Sequence, residues 1–211
     1  MLNAGVLTFR EFAMNEPLPL ATIQESVLEF LRGREDAVLF GAQAVNAYVN
    51  EPRMTQDIDL LSTRAKDLAE ELRQHLNKKF HISLRVREVG EGKGFRIYQV
   101  QKSGNRHLID LRPVEKLPDT NKIEDILILT PGELIAGKVI SYHSRRGKPK
   151  AGTDWRDLAM LLLAFPELKK ETGEVKRILE NSKADEAVMN VWRELVAQEI
   201  GLENEDEDLN Y

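Results

Sequence analysis

The chain has no cysteine among its 211 residues. Disulfides, thiol nucleophiles and thiolate metal sites are therefore excluded, and the composition suits a reducing compartment. Long apolar runs are also missing. The longest, Leu158–Phe165, has eight residues, against about 20 for a membrane-spanning helix. The first twenty residues carry Arg10, Glu11 and Glu16 and lack the apolar core of a signal peptide. No internal repeat, Gly-x-Ser-x-Gly elbow, RRM, KH or zinc-finger motif is present, and the four histidines show no metal-binding spacing. Gly90, Gly92 and Gly94 imitate a phosphate loop, but strand patterns lie on both sides, so a hairpin turn is expected there. The expectation is a soluble, cytoplasmic protein with no membrane partner.

Excess charge of either sign is largely absent from the body. The formal net charge of −5 comes from 35 acids and 30 bases. Five of the acids (Glu203, Glu205, Asp206, Glu207 and Asp208) fall in the last nine positions, so the remainder balances at 30 against 30. Such an acidic terminal block reads as a disordered, solvated tail over 203–211. On a neutral body any surface for a polyanion must be local. The densest basic segment is Arg145, Arg146, Lys148 and Lys150.

Hydrophobic periodicity predicts a helix within Leu18–Arg34, a short buried strand at Ala37–Phe40, and a second helical run at Gln43–Tyr48. A strand follows at Asp57–Leu61, then an amphipathic helix at Thr63–Lys78 with Leu68, Leu72 and Leu76 on one face. Strands are expected at Ile82–Val89, Phe95–Gln101, His107–Arg112 and Ile126–Leu129. Thr130-Pro131-Gly132-Glu133 reads as a helix start running on to about Ser144. A basic loop, Arg145–Gly152, then leads to helices at Asp154–Phe165, Glu174–Asn181 and Ala184–Ile200. The fold class is α+β: a mixed sheet with flanking helices over 1–129, followed by a helical bundle over 130–202.

The chemistry concentrates after Leu39-Phe40-Gly41-Ala42. Residues two apart in a strand point the same way, so Asp57 and Asp59 present two carboxylates on one face while Ile58 enters the core. Two such charges repel, and one takes up a proton unless a cation lies between them. Oxygen ligands of this kind suit Mg²⁺ or Mn²⁺. A third carboxylate, Asp110, lies amid His107-Leu108-Ile109-Asp110-Leu111, where it loses hydration and needs a partner. Three convergent carboxylates can hold two divalent ions, an arrangement that serves phosphoryl transfer.

These residues resemble the DNA polymerase β type of nucleotidyltransferase, with its strand, Gly-containing helix start, Asp-x-Asp strand and later acid. Leu39–Ser62 is similar, more narrowly, to the AbiEii/AbiGii toxin nucleotidyltransferases. Ala42 stands where that family usually has Gly or Ser, which removes a hydroxyl contact. The resemblance implies that Asp57 and Asp59 bind metal, with Asp110 binding the ion that activates the acceptor hydroxyl. It implies too that backbone N–H groups of Gly41, Ala42 and Gln43 meet the triphosphate of an NTP.

Downstream, the family carries a helical lysine, an arginine loop and spaced aspartates, matched here by Lys138, Arg145/Arg146 and Asp154-Trp155-Arg156-Asp157. Lys138, Ser141 and Arg145 fall within about 60° on a helix, a stripe suited to the β- or γ-phosphate. Asp154, or Asp157 three residues on, matches the late aspartate, with Asp154 preferred. The resemblance implies transfer of NMP to an acceptor hydroxyl by the toxin of a toxin–antitoxin pair. Expected partners are tRNA or another RNA and a cognate antitoxin protein. An antibiotic-type small-molecule nucleotidyltransferase and a binding module without turnover share the same fold.

Overall fold

A computed structural model describes residues 18–102 and 104–201. The acidic segment 203–211 lies outside the described residues. The chain divides into two units, with the boundary between Thr130 and Pro131.

The first unit begins with helix α1 (Leu20–Leu31), strand β1 (Ala37–Phe40), the short helix α2 (Gly41–Asn46), β2 (Ile58–Ser62) and α3 (Ala65–Phe80). Five strands follow: β3 (Leu84–Val89), β4 (Gly94–Gln99), β5 (Arg106–Pro113), β6 (Thr120–Ile123) and β7 (Ile126–Leu129). They form one mixed sheet in the order β3-β4-β5-β2-β1-β7-β6, with β2/β5 and β1/β7 parallel. On one face Ile97, Ile109 and Ile58 stand in register and are fully buried. Helix α3 packs against strands β2 to β5, and its Leu68, Leu72 and Leu76 are fully buried. One apolar surface is thereby removed from water, at roughly 25 cal/mol per Å². The other face of these strands is left for polar chemistry.

The second unit is helical: α4 (Pro131–Ser144), α5 (Lys150–Ala164), a 3₁₀ turn at Pro166–Leu168, α6 (Glu174–Asn181) and α7 (Glu186–Ala197). Helix α4 packs against the other three. Asp185 caps α7, its side chain accepting from Val188 N at 2.9 Å.

Several element bounds shift by one to three residues from expectation, and three differences stand out. The basic loop stops at Pro149, and α5 starts at Lys150 rather than Asp154. Proline is tolerated at a helix entrance, where its missing N–H is no loss, so the Pro149–Gly152 signals mark a start and not a gap. Helix α2 begins at Gly41, two residues before Gln43. Strand β6 was not expected, because Thr-Asn-Lys-Ile at a sheet edge is polar and half-exposed. No helix among the described residues is long and apolar enough to cross a membrane.

Candidate active site

The sheet topology brings the three acids together. In the parallel β2/β5 pair, Asp59 stands in register with Asp110, and in the antiparallel β1/β2 pair it opposes Phe40. Ile58 points the other way and is fully buried, which fixes the Asp-x-Asp carboxylates on the polar face. The turn before β2 is tied down locally. Asn46 Nδ2 donates to Arg53 O at 2.8 Å and Arg53 N donates to Asn46 Oδ1 at 3.0 Å. The Thr55 hydroxyl is 3.0 Å from Asp57 O, and Gln24 Nε2 donates to Thr55 O at 3.1 Å. The Gln43 side chain also faces this turn, with its Oε1 3.3 Å from Thr55 Oγ1.

Gly41 starts α2 directly against Asp59. Its φ is +70°, and a Cβ there would lie 2.0 Å from Asp59 Oδ2. Phe40, one residue earlier, is extended, so the chain turns from strand to helix at the carboxylate itself. Ala42 and Gln43 form the rest of the first turn of this six-residue helix.

Two cations complete the cluster. Arg96, opposite Asp110 on β4, donates from Nε to Asp110 Oδ1 at 2.7 Å. His107 lies between two acids, Nδ1 3.2 Å from Asp57 Oδ2 and Nε2 3.5 Å from Asp110 Oδ1. Burial opposes charge on this imidazole, but the Asp110 and Asp57 carboxylates outweigh it and raise its pKa to about 10. Burial likewise pushes Asp110 up, but His107 and Arg96 hold its pKa below the ordinary carboxylate value. The anionic form of Asp110 is thus kept ready for a cation. One ligand atom each from Asp57, His107 and Asp110 fall within 4.8 Å of one another. The carboxylate oxygens of Asp57 and Asp110 suit a divalent ion, whereas His107 joins them as a ligand only after losing its proton.

The later candidates form a separate group within the helical unit. Lys138 Nζ lies 2.6 Å from Asp157 Oδ2 and 3.1 Å from Asp154 Oδ1. Arg145 Nη1 lies 2.7 Å from Asp154 Oδ2. Asp154 and Asp157 are 2% and 0% exposed, and Lys138 is 9% exposed. Because α5 starts at Lys150, Asp154 is in its second turn, and a first-turn dipole preference does not account for it. Ser141 is half-buried on α4, and its carbonyl accepts from Arg145 N at 3.1 Å.

A family model described as "Nucleotidyl transferase AbiEii toxin, Type IV TA system" matches residues 26–206. The chain belongs to this family. It is an AbiEii-type nucleotidyl transfer enzyme. No curated protein matches it. Among solved structures, a Megavirus polyadenylate synthase matches at 15% identity and TM-score 0.57 over 70% of this chain. This chain spans only 32% of that protein. JHP933 from Helicobacter pylori matches at 12% identity and TM-score 0.51, covering 90% of each chain. Both likenesses concern the fold.

Two residues of this AbiEii-type site have no spacing signal in the sequence. Strict alternation points His107, three before Asp110, to the opposite face. In the structure β5 pairs Ile97 with Ile109 but Tyr98 with His107, so Leu108 is an extra residue in a bulge. Bulges re-aim side chains, and this one turns His107 onto the Asp110 side. Arg96 is found only through strand register.

Replacing Gly41 by Ala in the AbiEii-type enzyme tests the turn. The left-handed backbone costs about 1–2 kcal/mol for a residue with a Cβ, and the new methyl must displace the Asp59 carboxylate. A misplacement near 1 Å costs roughly 10²-fold in rate. Thermal melting and transfer rates measured on Gly41→Ala check both terms. An unchanged rate would mean that Asp59 is free to move.

Proposed function

We propose that this AbiEii-type enzyme transfers NMP from an NTP to an RNA hydroxyl, with tRNA as a candidate acceptor, as the toxin partner of an antitoxin protein. The observation that carries the reading is the register of Asp59 with Asp110, with Asp57 preceding the same strand as Asp59. Asp57, Asp59 and Asp110 are the groups that would hold Mg²⁺ or Mn²⁺. When bound, such ions supply positive charge to the triphosphate and lower the pKa of the attacking hydroxyl. Asp110 is kept ionised by Arg96 and His107, so it is ready to receive positive charge or to orient the acceptor hydroxyl. Gly41, with no side chain, leaves the Asp59 carboxylate its place. The N–H groups of Gly41, Ala42 and Gln43 are proposed to receive triphosphate oxygens, with no help from a hydroxyl at Ala42. Lys138, Ser141 and Arg145 are proposed to serve the triphosphate. For that role Lys138 and Arg145 must loosen their hold on Asp154 and Asp157.

The experiment is incubation of the protein with each α-labelled NTP and Mg²⁺ or Mn²⁺, offering tRNA, total RNA and an aminoglycoside panel in parallel. Label is expected on RNA, with one pyrophosphate released per nucleotide added and none after chelation by EDTA. Label on aminoglycosides alone would replace this reading with the antibiotic-type one. Label on no acceptor would overturn it.

A further inference from the structure

The polar face of the sheet carries more cation than its carboxylates use. Residues paired across neighbouring strands point to the same face. One row therefore runs Arg87, Arg96, Asp110, Asp59 across β3, β4, β5 and β2. The next row runs Arg85, Tyr98, His107. Arg96 is engaged with Asp110. Arg85 and Arg87 are exposed, and neither guanidinium has an ion-pair or hydrogen-bond partner among the described residues. That contrasts with Arg34, Arg64, Arg73 and Arg193, whose guanidinium groups all meet carboxylates. Between the two free arginines and the acids lies Tyr98, half-buried, its ring centroid 5.0 Å from that of His107.

We propose that this face of the β3–β4 hairpin binds the single-stranded end of a polynucleotide acceptor. The inference rests on the nucleotidyl transfer reading and names where its acceptor lies. Arg85 and Arg87 take backbone phosphates, Tyr98 offers a ring for an unpaired base, and the first row leads through Arg96 to Asp110, where the acceptor hydroxyl must arrive. Strands lie about 4.8 Å apart, and same-face residues on one strand are about 7 Å apart. The arginines are thus roughly 10 Å from the β5 row, a distance that one or two nucleotides of a single strand bridge. Guanidinium forks match phosphate oxygens, and a ring beside a cationic track is the usual platform for single strands. An acidic protein partner would use the arginines but has no use for an aromatic ring set beside them next to the acids. Strand β3 is also a sheet edge, where charge blocks further pairing. That role alone predicts no affinity for RNA.

The test uses the full chain and a fluorescein-labelled single-stranded oligoribonucleotide, with anisotropy followed across a salt series. Arg85→Gln with Arg87→Gln is expected to weaken binding and lower the slope of log affinity against log salt by about 1.4, at about 0.7 per lost contact on a single strand. Arg85→Lys with Arg87→Lys should keep the slope, and NTP binding should be equal in all three proteins. A hairpin RNA with no free single-stranded end should bind more weakly than the oligonucleotide. An unchanged slope in the Gln pair overturns the proposal, as does wild-type protein that binds NTP but not the oligonucleotide. Displacement of the oligonucleotide by poly-glutamate as readily as by unlabelled RNA also overturns it, in favour of an acidic protein partner. Oligonucleotide binding that depends on the arginines, in a protein that neither binds NTP nor transfers NMP, supports the face and overturns the parent reading alone.

Discussion

Asp59→Asn is expected to reduce NMP transfer by about 10³-fold or more while leaving the fold intact. The carboxylate is in register with Asp110 on one side and Phe40 on the other, and packed against Gly41. A ligand that anchors a divalent ion supports several kcal/mol of charge stabilisation in phosphoryl transfer, and each 1.36 kcal/mol is about tenfold in rate. Asn is nearly isosteric, so β2 keeps its buried Ile58 and Leu60. With EDTA present, loss of one of three neighbouring negative charges should leave the melting temperature equal to wild type or slightly higher. With Mg²⁺ or Mn²⁺ added, wild type should gain melting temperature and the variant should not. Asp57→Asn is expected to behave similarly in transfer but to differ in melting, because His107 then loses its 3.2 Å partner. Wild-type transfer by purified Asp59→Asn would remove the carboxylate from the mechanism.

How much of this was legible in the sequence depended on how local each signal is. Strands β1 and β7 and helix α6 fall at the expected residues, because each is a short run bounded by clear turn chemistry. The Asp-x-Asp geometry was legible too, since it needs only the two-residue period of a strand and a buried Ile58. The convergence of Asp110 on the pair was expected from its place amid strand hydrophobics and from the family resemblance. Its register opposite Asp59 was not, because the pairing of parallel strands some fifty residues apart leaves no mark on either one. His107 was hidden for a sharper reason. The bulge at Leu108 breaks the alternation that sequence reasoning depends on, and it does so beside the acids. Lys138 and the late aspartates were legible as positions on two helices. Their mutual contacts were not, because they depend on how α4 and α5 pack.

That buried group gives the second large effect. Lys138→Met removes one ammonium from two carboxylates that are 2% and 0% exposed. Removing one partner of a buried ion pair costs about 3–5 kcal/mol, because the remaining charge keeps its desolvation penalty. At about 2–4 °C per kcal/mol for a chain of this size, melting should fall by roughly 6–20 °C. Arg145 moderates the loss at Asp154 through its own 2.7 Å contact, so Asp157 carries most of it. A second change should therefore restore the fold: Lys138→Met combined with Asp157→Leu replaces the pair by apolar groups, which is often neutral for stability. The double variant also separates two roles for the lysine. If Lys138 serves only the helical unit, the double variant recovers both stability and NTP affinity. If it also neutralises the triphosphate, stability returns while NTP affinity stays low and transfer stays slow. Differential scanning calorimetry and nucleotide titration on the same samples decide between them. A single Lys138→Met variant that melts with wild type would show that the two aspartates do not depend on this ammonium.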